Sequence, residues 1–180
     1  MNAIPDQSAL ASVPVDWEAI YAEVNAWRGE CMHHFSAVEH AVTETLLVLD
    51  GAKPDGVTIR LRHLIGQRFE DLSDAIGLNG PFAEKGRSAA KSLAHYREQH
   101  EAFRTQLCHG HLAVSVCPNG HWLLVLRTLS IRGRQADTGL VVIEQTNAVS
   151  RLEELRRDGR KLAAVLGQVR QGVVGVQTTK

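Results

Sequence analysis

The sequence predicts a mainly α protein: an elongated four-helix up-and-down bundle with a small antiparallel β-meander inserted before the last helix. Three observations carry this. Apolar residues recur at alternating three- and four-residue steps in long stretches, the signature of helices with one buried face. Across residues 111–145 the period drops to two, as in strands. Finally, 180 residues that are 44% hydrophobic and 22% charged suit one domain, 1–180, with a real core. That composition argues against a disordered, collagen-like or disulfide-scaffold chain.

The elements follow in order. Residues 1–15 read as a loose arm. Asp16 offers an N-cap, with Glu18 in the first turn where the helix dipole favours negative charge. The stripe Trp17, Ile20, Val24, Trp27, Cys31, Phe35, Val38, Val42, Leu46, Leu49 then runs to Asp50-Gly51, and Pro54-Asp55-Gly56 makes the turn. At about 1.5 Å per residue this helix of roughly 33 residues is about 50 Å long and needs long partners, in a bundle or across a dimer. Thr58 is expected to cap a second helix with inner residues Leu61, Leu64, Ile65, Phe69, Leu72 and Ile76, stopped by Gly77 and Asn79-Gly80. Pro81 suits the first position of a third helix. Its stripe is Phe82, Gly86, Ala89, Leu93, Tyr96, His100, Phe103 and Leu107, and Gly110 is expected at its C′ position. These three helices occupy 16–110.

Leu112, Val114 and Val116 then alternate, Pro118-Asn119-Gly120 signals a turn, and Trp122 to Ile131 is β-rich. Gly133 to Gly139 reads as a polar loop and Leu140 to Ile143 as a third strand. The last helix is expected over 147–172, with Leu152, Leu155, Leu162, Val165, Leu166 and Val169 inward and Gly159 awkward in its interior. Residues 173–180 read as a frayed tail.

Lys+Arg and Asp+Glu number 20 each, so the formal net charge is zero. No overall field steers the chain to nucleic acid or anionic lipid; a nucleic-acid role needs a local basic patch or two copies pooling one. The start lacks a secretory signal, and no stretch is apolar and long enough to span a bilayer. Cys31, Cys108 and Cys117 form no Cys-x-x-Cys pair and read as reduced thiols of a cytoplasmic protein.

The chemistry concentrates in Phe103-Arg104-Thr105-Gln106-Leu107-Cys108-His109-Gly110. Arg104 supplies a fixed cationic fork for phosphate or carboxylate. His109 supplies a proton donor or acceptor near neutral pH. Five positions turn through about 500°, so on an unbroken helix the two diverge by about 140°; at a fraying end His109 can swing back. An arginine, four residues and a histidine-glycine pair closing a bundle helix resembles the HEPN superfamily. The resemblance covers Asp16 to Gly110 and the last helix. It implies a homodimer with two Arg104/His109 sets facing one cleft, and a metal-independent endoribonuclease of toxin, defence or RNA-processing type with no cofactor. In that reading His109 relays protons and Arg104 stabilises phosphoryl charge. The resemblance also suggests a nucleotidyltransferase-type antitoxin as a partner. Thr105 departs from the family, in which a more strongly polar residue is usual.

Other residues support the motif. Glu101 shares a face with Arg104 and either orients its fork or forms a solvated ion pair. His100, on the inner stripe, is a core or interface histidine or an assistant to the site. Glu39 either holds His109 in one tautomer across the bundle or is an edge residue. Two basic clusters, Arg60/Arg62/His63/Arg68 and Arg151/Arg156/Arg157/Arg160/Lys161, are anion-binding strips or solvated faces. Glu30-x-x-His33 has the step of a di-iron ligand pair, but no second copy exists. Three hypotheses result: a HEPN-like ribonuclease, a non-catalytic HEPN-like protein binding RNA, a nucleotide or a partner, and a metal-binding bundle.

Overall fold

A computed structural model describes residues 15–177. It contains α1 (Trp17–Gly51), α2 (Ile65–Ile76), α3 (Ala83–His109), β1 (His111–Val116), β2 (Trp122–Arg132), β3 (Gln135–Glu144) and α4 (Gln145–Gln177). The predicted composition of four helices with a three-stranded antiparallel sheet before the last is what the chain adopts. The loose arm expected at the N-terminus lies, but for Val15, outside the described residues.

The first and third helices follow their apolar periods closely. Asp16 accepts the Ala19 amide at 3.0 Å as the N-cap of α1. From Val24 to Leu49 the whole expected stripe is buried, while Trp17, half exposed, rests against Tyr21. Every expected inner residue of α3 is buried as well.

The helix directions depart from strict alternation. Arg28 reaches the Leu107 carbonyl, Phe35 meets Phe103 and Glu39 meets Arg104, so α1 and α3 oppose each other. Phe69 meets Tyr96 and Ile76 lies over Gly86, so α2 also opposes α3. Trp27 donates to the Ala148 carbonyl at 2.8 Å, Glu30 pairs with Arg156 and Ala41 with Arg170; α4 therefore runs parallel to α1. Thus α1, α2 and α4 share one direction and α3 runs the other way.

The cause lies in residues 52–64. The helix expected from Thr58 begins only at Ile65, and Leu61 and Leu64 are about half exposed. Arg62 straps this extended segment to α2: its backbone amide and Nε both donate to the buried Asp71 carboxylate, at 3.2 and 2.8 Å. A charge-assisted pair of bonds of this kind outweighs the modest gain of one more helical turn.

Further boundaries differ: α3 begins at Ala83, two residues after Pro81, and α4 at Gln145 instead of residue 147. Gly110 is extended (φ −75°), not left-handed, and closes α3 by donating to the Gln106 carbonyl at 2.8 Å. A Cβ there would lie 2.4 Å from that oxygen, so close approach is what demands glycine. The expected polar loop 133–139 is mostly strand: β2 and β3 join through Gly133 and Arg134, both at positive φ (55° and 67°), as a two-residue hairpin requires. The expected tail is helical to Gln177, with Val173 buried.

The sheet order is β1-β2-β3. Its inner face (Trp122, Leu124, Leu126, Ile143) joins the helical core beside Trp27, whose ring lies 6.1 Å from that of Trp122. Gly159 fits where α4 crosses α1 and α3, since a Cβ there would meet Val38 at 3.1 Å.

Candidate functional site

The last two turns of α3 are pinned from α1. Arg28, Met32, Phe35 and Glu39 recur at four- and three-residue steps along α1 and meet Leu107, Cys108, Phe103 and Arg104 respectively. The Arg104 Nε–H donates to Glu39 Oε1, both residues being about one-quarter exposed. This corrects two expectations. Glu39 holds Arg104 and not His109. Glu101 is taken by Arg97 at 3.0 Å and not by Arg104.

Beyond Glu39, the Arg104 guanidinium borders a groove of about 330 Å³ between α3 and the start of α2. Thr105, Gly66, Gln67 and Phe69 line it with Arg104. Two carboxylates also reach this wall, Glu70 and Glu101, and each already has an arginine, Arg62 at 3.0 Å and Arg97. The first turn of α2 has no side-chain cap, leaving amides at the groove edge. The Thr105 hydroxyl donates to the Glu101 carbonyl at 3.1 Å and is exposed.

His109 is the last residue of α3 and is exposed; among the described residues no side-chain hydrogen bond or ion pair engages it. The helix does not fray before it, so the swing back toward Arg104 is absent and the two diverge by about 140° around the axis. His109 instead follows Thr105 by four positions, about 6 Å along the same face. Arg104 therefore sits in the groove wall, and His109 lies one turn beyond its Thr105 edge.

His100 belongs to a different place. It is buried, and its Nε2 lies 3.1 Å from Asp158 Oδ2 on α4. His95 Nε2 is 3.5 Å from the same oxygen, and Arg157 donates to Oδ1 at 3.0 Å. Burial pushes the His100 pKa down, against the pull of Asp158 upward. Burial also pushes the Asp158 carboxyl up, but Arg157 and His100 outweigh it and hold the pKa below the usual carboxylate range. These groups line a cavity of about 290 Å³ with Gln99, Phe103, Arg151 and Glu154, and the Arg151 guanidinium covers the Phe103 ring at 5.2 Å. Sequence reasoning missed Asp158. The signal was present: Asp158 falls on the buried stripe of α4 between Leu155 and Leu162, facing a histidine on the buried stripe of α3.

Among the described residues, no group of three or more His, Cys, Asp and Glu side chains is placed to hold a metal ion. Glu30 pairs with Arg156, and His34 also lies against that guanidinium. Four of the nine residues in the basic clusters are committed internally: Arg62 to Asp71, Arg68 to Thr43, Arg156 to Glu30 and Arg157 to Asp158. No helix among the described residues is long and apolar enough to cross a membrane. The chain matches no protein-family model, no curated protein and no solved structure.

Proposed function

We propose that the protein is a HEPN-like, metal-independent endoribonuclease that acts as a homodimer at the C-terminal end of α3. The carrying observation is the pairing of an oriented guanidinium in a groove wall with an unengaged imidazole one turn beyond it. In this reading a phosphodiester enters the groove and Arg104 holds the non-bridging oxygens as negative charge builds on them. The 2′-oxygen bonds to phosphorus and the bond to the 5′-oxygen breaks. His109 takes the 2′-hydroxyl proton, or in its protonated form supplies one to the leaving oxygen. Because the two side chains diverge on one helix, the second copy completes the constellation. A cytoplasmic setting and a nucleotidyltransferase-type antitoxin partner belong to the same proposal.

The test is cleavage of a fluorescent single-stranded RNA in excess chelator. His109→Ala should lower the rate by about 10²–10⁴-fold, the usual weight of general acid–base catalysis. Cleavage that requires added metal, or that persists unchanged in His109→Ala, overturns the proposal. A second reading is favoured by the Glu39–Arg104 pair, which neutralises part of the charge the transition state would use. In that reading the same groove binds RNA or a nucleotide without cutting it. RNA that stays intact but binds with dependence on Arg104 would establish that alternative.

A further inference from the structure

The outer face of the sheet is apolar and nothing in the described chain covers it. Leu129 and Ile131 on β2 are 74% and 80% exposed, and Leu140 and Val142 on β3 are 64% and 53% exposed. All four project from the same side, because Leu129 and Ile131 share parity with Val125 and Arg127, the register partners of Val142 and Leu140. β1 pairs with β2 only as far as His111 opposite Arg127, so the hairpin beyond Arg127 projects past it. On the hairpin's other side stand Thr128, Ser130 and Asp137. The alternation therefore persists where no core demands it. Exposed apolar surface in this pattern marks an interface.

We infer that this face is the seat of a second copy of the chain, packed sheet on sheet about a two-fold axis. Three points select that occupant. The face is self-matched in charge, since Arg127 and Glu144 give it one cation and one anion, and two like faces meet without net repulsion. Its area is of the order a specific interface needs: β2 and β3 make a surface about 35 Å long and about 10 Å wide, and β1 adds a short third row. Two copies then cover roughly 900 Å² of flat area before side-chain relief, against about 1,000 Å² for a specific interface. Third, a two-fold contact is closed, so the apolar face is consumed by one partner and leaves no open-ended surface to propagate a fibre. The inference names the surface for the two-copy state that the proposed function uses.

Sedimentation equilibrium of the full chain at micromolar concentration tests it. Wild type should be a dimer, and the double variant Leu129→Asp/Leu140→Asp a monomer with an unchanged helical circular dichroism spectrum. Ser130→Lys, on the opposite face and beside Asp137, should remain a dimer. A dimer that survives the double variant overturns the face while leaving the two-copy ribonuclease reading standing. A monomeric wild type, an assembly larger than a dimer, or loss of the dimer in Ser130→Lys also overturns it. If the double variant is monomeric yet cleaves RNA at the wild-type rate, the face stands and the two-copy ribonuclease reading fails.

Discussion

Glu39 decides how much Arg104 can contribute. The guanidinium is half-buried in the wall between α1 and α3, where an unpaired charge is costly, and Glu39 offsets that cost while fixing the fork's direction. Glu39→Gln should therefore lower stability by about 1–2 kcal/mol, between the values for exposed and for fully buried pairs, as read by urea unfolding. It should also strengthen RNA binding, because Arg104 is released from its carboxylate. The His100–Asp158 pair argues separately, through pH. His100 has a folded pKa below its unfolded value, so the unfolded chain binds the extra proton first. Stability is then full above about pH 6.5 and falls as pH drops toward the lowered value. Asp158, also depressed, adds a further loss only at more acidic pH, from the ordinary carboxylate range down toward its lowered value. His34 is depressed in the same direction, by burial and then by Arg156. The measurement is urea midpoints at pH 7 and pH 5 for wild type and His100→Gln; the variant should show the smaller difference. At this scale the partners expected for Glu39 and Glu101 are not the ones they meet, and Asp158 escaped notice. Spacing on one helix is legible as a face, but a partner arriving from another helix, such as Glu39 at Arg104, depends on crossing geometry that no local pattern encodes.

Among the elements, glycine separates packing from propensity. Gly86 in α3 has no room, since a Cβ would lie 2.5 Å from the Ile76 Cβ on α2. Gly86→Ala should thus cost about 1–3 kcal/mol through overpacking, despite the better helix propensity of alanine. Gly172 in α4 is exposed, with nothing near a would-be Cβ, so Gly172→Ala should gain about 0.5–1 kcal/mol. Thermal midpoints of the two variants should move in opposite directions. The buried stripe of α3, Gly86 included, was legible because its three- and four-residue period is regular. The second helix was not legible from its N-terminal side: Leu61 and Leu64 keep the helical spacing while Arg62, by reaching forward to Asp71, holds the backbone extended. The β2–β3 hairpin was hidden for a different reason. Gly-Arg is an uncommon two-residue turn, and polar residues on an unburied strand resemble a loop until their register is seen.

On the scale of the molecule, neutrality is the governing fact. A chain with zero formal charge has no long-range attraction for RNA, so affinity must come from a few cations held where phosphate arrives. Most arginines in the basic clusters are spent on internal partners, Arg62, Arg156 and Arg157 among them. If RNA enters the α3 groove as proposed, Arg104 supplies one phosphate contact per copy, shared with Glu39, and a dimer supplies two. For single strands each contact contributes about −0.7 to the slope of log K against log salt, so the dimer should show a slope near about −1.4. Raising salt from about 50 to about 200 mM would then weaken RNA binding by roughly sevenfold, far less than the 10³–10⁵ of a strongly basic binder. Fluorescence anisotropy with a short single-stranded RNA gives the slope directly, and Arg104→Ala should flatten it. A slope several times steeper, unchanged in Arg104→Ala, would place the phosphates on the arginine strip of α4 and remove the α3 groove from RNA recognition.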